Sequence, residues 1–180
     1  MGFFSFLSGD KRSKEQIEAQ EKYKSELKQY INENYGAPKI HGSANYDVYI
    51  NMQFRKIATC YVEYTFKDYS FDIIRGAYIT IDDEVITKTQ SGIGRAIIGG
   101  MIAGSMGAAV GYLSRKSEQK TLINNARLTI ITSDPNMPEI YIPLLGKAKK
   151  NYANDSDVKR ILNSAESLIH IIDQISMGVY

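Results

Sequence analysis

Ala96–Leu113 reads AIIGGMIAGSMGAAVGYL, eighteen residues without a charge. How this stretch is read decides the fold. As a single membrane span it would separate the strands on its two sides. As an insert it leaves them able to join one sheet. Seven of the chain's 14 glycines fall between Gly92 and Gly111. Small residues recur at every fourth position along two rows. One row is Ala96, Gly100, Gly104 and Ala108, and the other is Gly99, Ala103, Gly107 and Gly111. On a helix these rows lie side by side and form a narrow, flat face. Another backbone can approach such a face closely, so dispersion and Cα–H···O contacts accumulate. Each glycine costs roughly 1 kcal/mol in a helix relative to alanine, so close packing has to offset the cost. The eight residues are therefore the candidate self-association or membrane site.

A helix of this length reaches about 27 Å, just short of the ~30 Å hydrocarbon core. Ile97, Ile98, Ile102, Val110 and Leu113 favour insertion by about 1.5–3 kcal/mol in total, and the glycines, Ser105 and Tyr112 erode that gain. Arg95 precedes the segment, and Arg115 and Lys116 follow it. Basic flanks on both sides favour both ends remaining on the cytoplasmic face. A helical hairpin breaking near Gly104 and Ser105 satisfies these constraints. Three settings for it remain open at this point: contact with lipid, soluble self-association, and packing on its own domain.

Working outward, the period changes to two between Asn45 and Lys88. Ala58, Cys60, Val62, Tyr64 and Phe66 alternate with more polar positions, which predicts one half-buried strand. Tyr78–Ile81 and Val85–Lys88 flank Asp82, Asp83 and Glu84, which predicts a hairpin turn. After the insert, Arg127–Thr132 and Glu139–Leu144 read as two more strands, joined by a turn at Ser133–Asn136. Near the end, Val158, Ile161, Ala165, Leu168, Ile172 and Ile175 keep 3-4-3-4-3 spacing. Leu162 and Ile169 widen that face, and Asn154 or Asp155 caps the helix.

Ahead of the strands, Ser13 to about Tyr35 reads as a charged helix whose stripe of Ile17, Tyr23, Leu27, Tyr30 and Ile31 is expected to dock on its own domain, with a partner helix as the alternative. Ser13 with Gln16 forms a capping-box pattern, and Gly36 and Pro38 terminate the helix. Before it, Phe3, Phe4, Phe6 and Leu7 form a small apolar tag. The tag suits either a weak interfacial anchor or packing on its own domain. The basic residues Lys11 and Arg12 follow this tag instead of preceding it, so no cleaved secretory signal is expected.

The function classes that composition excludes are several. A net charge of +2 is too small for a nucleic-acid footprint. One cysteine, Cys60, excludes a disulfide framework. His41 and His170 lie far apart, which leaves no metal-ligand spacing. Ser91–Ile97 resembles a dinucleotide loop until the third glycine position, which holds Ile97. No lysine falls between Arg95 and Arg115, so no P-loop exists. Asp82, Asp83 and Glu84 suit a cation or, as turn carboxylates usually do, simply face solvent, whereas Asp134 stabilises its own turn. Lys147, Lys149 and Lys150 form a small basic cluster of the kind that touches anionic lipid or simply faces solvent. No catalytic, cofactor-binding or metal residue is expected, and no enzyme activity.

Several short strands followed by one long amphipathic helix resemble the pleckstrin-homology (PH) architecture. Gly94–Gly111 is similar to the glycine-zipper stretch of uncharacterised bacterial and prophage proteins, which often accompanies a PH-like domain. The likeness covers roughly residues 45–177. It implies membrane-proximal or oligomeric scaffolding without catalytic residues. Usage rich in Lys, Asn, Ile and Tyr suits a low-GC bacterium or its phage. The expected protein is α+β. A tag and amphipathic helix occupy residues 1–36, and a PH-like sheet or barrel occupies 37–180. The latter contains the glycine-zipper insert at 92–114 and a C-terminal helix at 155–177. Its expected partners are further copies of itself and membrane lipid, on the cytoplasmic side of the cell membrane.

Overall fold

The structure is a computed structural model that describes residues 14–42, 46–61, 65–88, 122–146 and 150–180. Helix α1 spans Lys14–Asn34. Then come β1 (Ile40–His41), β2 (Tyr46–Asn51), β3 (Lys56–Tyr61) and β4 (Thr65–Ser70). A single 3-10 turn, Phe71–Ile73, leads into β5 (Ile74–Ile81) and β6 (Glu84–Lys88). Following the insert are β7 (Leu122–Ile123), β8 (Ala126–Thr132), β9 (Glu139–Pro143) and β10 (Asn151–Tyr152). Helix α2, Ser156–Ser176, closes the chain.

The strands form two antiparallel four-stranded sheets, β1-β2-β3-β4 and β6-β5-β8-β9, and a small β10-β7 pair. Among the described residues no ladder joins the two large sheets, so the PH-like option realised is paired sheets and not a closed barrel. One aliphatic core unites them. Val48, Ile50 and Ile57 from the first sheet meet Ala77, Ile79, Ile81, Leu128, Ile130 and Ile142 from the second. Helix α2 lies mainly on β5 and also touches β1 and β6. Its predicted stripe, Val158 to Ile175, is buried throughout. Of the two candidate caps the helix uses Asp155, whose carboxylate accepts the Asp157 N–H at 2.9 Å.

Local chemistry explains the turns. Asp82 and Asp83 both have left-handed backbones, φ 49° and 69°. Two such residues make the tight hairpin turn whose twist matches its strands, and Asp tolerates that conformation better than most residues. Glu84, expected in the turn, instead opens β6 and pairs with Ile81. In the β8–β9 turn Asp134 Oδ1 accepts the Asn136 N–H at 2.9 Å, the side-chain turn expected there. Pro143 ends β9, an edge strand, where a missing N–H breaks no inner ladder. Gly42 sits against backbone. A β-carbon there would lie 3.1 Å from Tyr46 O and 3.2 Å from Leu144 O.

Two expectations are corrected. The alternation from Ala58 to Phe66 is not one strand but the antiparallel pair β3 and β4. Cys60 pairs with Phe66 and Ala58 with Asp68. Each pair joins positions of equal parity, so a period-two pattern runs through the hairpin unbroken. Nor is β3 half-buried. Ile57 and Thr59 are buried, and so are Ala58 and Cys60, because α1 covers the second face. The second correction concerns α1. Only its last turns dock. Ile31 is buried, whereas Ile17, Tyr23 and Tyr30 are 41–48% exposed. The docked end is held by Tyr35, whose hydroxyl donates to Asp68 at 3.3 Å, and by Asn51, whose side chain donates to Asn34 O. Gly36, φ 66°, ends the helix by donating its N–H to Ile31 O at 3.1 Å, as its sequence signal predicts.

Candidate functional site: the root of the glycine-rich insert

Residues 89–121 connect β6 to β7. The eight candidate zipper residues, from Ala96 to Gly111, lie outside the described residues. So do Phe3, Phe4, Phe6 and Leu7, the cap at Ser13, and Lys147 and Lys149 of the basic cluster. Lys150 is described and exposed. What the structure defines is the mount from which the insert departs.

That mount is built from the centre of the second sheet. Strand β5 pairs with β6 on one side and with β8 on the other. The strands before and after the insert therefore belong to one sheet, as the reading of Ala96–Leu113 as an insert requires. The outgoing end follows β6, which runs back along β5 until Lys88 reaches the level of Tyr78. The incoming end is pinned just past the C-terminal end of β5, at the β5–β6 turn. Asp82 Oδ1 accepts two backbone N–H groups, from Asn124 at 2.9 Å and Asn125 at 3.0 Å. The Asp82 N–H in turn donates to Asn125 O at 2.9 Å. Beside this clamp, Ile123 pairs with Asn151 and Leu122 with Tyr152. Ile123 is fully buried, which anchors the short strand to the core.

Asp82 is thus a structural clamp. The sequence marks it as a turn residue, which it is. Nothing local signals that its carboxylate serves amides 42 and 43 positions away. Asp83 and Glu84 are exposed. His170 lies partly exposed on α2. Among the described residues no three His, Cys, Asp or Glu side chains gather as metal ligands, and no helix is long and apolar enough to cross a membrane.

Electrostatics concentrates on the face that α1 covers. Lys56 Nζ donates to Asp68 at 2.6 Å, and that bond together with the carboxylate charge raises the lysine's pKa. Burial, and then the Asp68 charge, push the Tyr35 hydroxyl well above its ordinary 10.0. On the second sheet, Tyr78 donates to Glu139 at 3.1 Å, and the Arg127 guanidinium lies 5.0 Å from the Tyr141 ring centre. Burial raises the Tyr78 hydroxyl as well. These networks tie strands and helix together.

Comparison with known proteins agrees with this architecture. The chain is 34% identical over 105 residues to a protein named immunity protein from Bacillus phage SPbeta, covering 54% of this chain and 51% of that one. It is equally similar to an SPbeta prophage-derived uncharacterised membrane protein of Bacillus subtilis (strain 168), covering 54% and 45%. The chain thus spans about half the length of these relatives. No solved structure matches it. The family described as glycine zipper containing PH domain matches residues 28–146, a stretch from the docked end of α1 through both sheets and the insert. An α+β fold with two antiparallel sheets, a C-terminal helix and a glycine-rich insert mounted on the second sheet is thus the form taken by a member of the glycine-zipper PH-domain family, to which this chain belongs.

Proposed function

We propose that this protein is a non-enzymatic, membrane-associated binding or scaffold protein whose PH-like domain presents the glycine-rich insert, and that copies associate through the two small-residue rows. The observation that carries the reading is the pairing of β5 with both β6 and β8. Strands β6 and β8, which flank the insert and the short β7, share one sheet, which argues against a single crossing of a bilayer. A re-entrant or interfacial hairpin meets that constraint, and the basic flanks Arg95, Arg115 and Lys116 keep its ends at the cytoplasmic face. A relative named as a membrane protein supports lipid contact. The small-residue rows support self-association, because glycine faces are stabilised by close packing against another backbone.

The relative named immunity protein, from a phage, favours a second reading. In it the same hairpin perturbs the membrane, as an effector excluding other phages would. Expression then depolarises cells, and an unchanged membrane potential excludes this reading.

Liposome flotation of the full-length protein beside a variant lacking residues 92–114 tests the proposal. The full-length protein is expected to float and the variant to remain below, with unchanged circular dichroism. If neither floats, lipid contact is refuted and a soluble oligomeric interaction domain is the reading that stands. Gly100→Leu with Gly104→Leu is expected to abolish assembly. An unaltered oligomer mass in that variant excludes the zipper role.

A further inference from the structure

A cavity of about 710 Å³ lies beneath α1, but Lys24 and Asp47 on its walls already have partners. The outer face of the second sheet differs, because it holds a positive charge without one. Ile79, Leu128 and Ile140 point into the core. Strand alternation therefore turns Tyr78, Thr80, Arg127, Thr129, Glu139 and Tyr141 to the opposite side. In the ladder Thr80 lies directly opposite Arg127, and Thr129 stands between Tyr78 and Tyr141. Glu139 is engaged: the Tyr78 hydroxyl donates to one carboxylate oxygen at 3.1 Å and the Tyr141 hydroxyl to the other. Among the described residues no carboxylate forms an ion pair with Arg127. Its guanidinium lies instead 5.0 Å from the centre of the Tyr141 ring. Arg127 Nε and Thr80 Oγ1 are both buried without a hydrogen-bond partner, and Thr80 is only 5% exposed.

We propose that Arg127 and Thr80 form a recognition site for an oxyanion, the group shared by carboxylates and phosphate esters. A buried donor left unpaired gives up its hydration without compensation, so folded proteins rarely keep one. A guanidinium has five N–H donors and no acceptor, so Nε is satisfied only by an acceptor brought to it. The Thr80 hydroxyl, one ladder position away, donates to the same group. Two oxygens of an oxyanion match the guanidinium edge formed by Nε and one Nη, which gives two parallel charge-assisted bonds. Charge selects the ligand as well. Glu139 is held by two phenols, so Arg127 keeps a positive charge that a neutral carbonyl would leave uncompensated. Tyr141 controls the approach. Its ring covers the guanidinium, yet it is 53% exposed on the edge strand β9 and turns aside without disturbing the core. Binding then exchanges a cation–π contact for an ion pair. None of these residues belongs to the glycine-rich insert, and the site does not depend on its role.

The experiment follows the Nε–H magnetic resonance of Arg127 in isotope-labelled full-length protein, assigned by its loss in Arg127→Lys. Inorganic phosphate and acetate are titrated separately at constant ionic strength, with chloride as the control. A saturable shift with an oxyanion and none with chloride is expected, and whichever of the two saturates at lower concentration identifies the source as phosphate or carboxylate. Tyr141→Ala is expected to tighten binding. Thr80→Val removes the hydroxyl at nearly constant shape. It is expected to raise the thermal midpoint of the free protein and to weaken the anion by about tenfold. Three results each overturn the proposal: no saturable shift with either oxyanion, an equal shift with chloride, or a Thr80→Val protein that binds as tightly as the wild type. A lowered midpoint in Thr80→Val also overturns it, since the hydroxyl would then be satisfied in the free protein.

Discussion

Helices α1 and α2 are the same length, 21 residues each, yet they meet the sheets in different ways. Helix α2 buries nine of its residues, eight of them an aliphatic stripe pressed on β5. Helix α1 buries Ile31 alone. Leu27 packs half-buried on the same patch, and the rest is aromatic or polar: Tyr30 meets Phe66 edge-on at 5.6 Å, and Tyr35, just past the helix, meets Phe66 at 5.5 Å and bonds Asp68. Both helices carry an apolar stripe in the sequence. What separates them is the area available opposite. Helix α2 lies along β5 and also reaches β6 and β1, whereas α1 meets the first sheet through a small patch of Tyr49, Ala58, Cys60 and Phe66. A stripe predicts that a helix will bury a face, and the receiving surface decides how much of it.

This comparison is breakable at three points. The largest effect is expected in the α2 core. Ile172→Ala should cost about 2–5 kcal/mol, through lost transfer energy and the cavity left behind. Ile31→Ala in α1 borders an existing cavity and should cost less, roughly 1–2 kcal/mol. Urea denaturation of both variants checks the order, and equal losses would mean that α1 is as integral to the core as α2.

A smaller effect separates the helices by pH. Tyr35 anchors α1 and its pKa is raised, so the unfolded chain ionises at this position before the folded one does. The stability that depends on a neutral Tyr35 is complete below the ordinary value of 10.0 and is lost as pH rises above it. Lys56, raised by Asp68, loses its contribution in the same direction, with its ordinary value at 10.5. Stability measured from pH 9 to 11 should therefore fall more steeply in the wild type than in Tyr35→Phe, which removes the ionising hydroxyl. Parallel curves would exclude Tyr35 from the alkaline response. The smallest effect belongs to Ile17, 43% exposed on the overhanging half of α1. Ile17→Ala should shift stability by no more than about 0.5 kcal/mol, and a loss comparable to Ile31→Ala would show that this half of the helix is covered in solution.

Much of the fold is legible in the residues themselves. The α2 stripe, its cap, the Gly36 stop, the Asp82 and Asp134 turns and the small-residue rows are all signals that operate over a few positions. Each depends on a local period or on a turn residue's own backbone preference, and those belong to the residue and its immediate neighbours. The insertion of Ala96–Leu113 between strands of one sheet was also legible, because the strand patterns resume after it.

The rest needed the chain to meet itself. Alternation from Ala58 to Phe66 is identical for one strand and for a hairpin whose pairs share parity, so only the pairing of Cys60 with Phe66 reveals the turn. The clamp from Asp82 to Asn124 and Asn125 bridges the insert, a distance over which sequence periodicity carries no information. The cavity under α1 exists because a 21-residue helix overhangs a sheet of six-residue strands. Composition and periodicity specify which faces are apolar, since these are properties of the residues alone. Which apolar faces meet, and what space they leave between them, is a property of their relative placement, and that is decided only when both sheets and both helices pack.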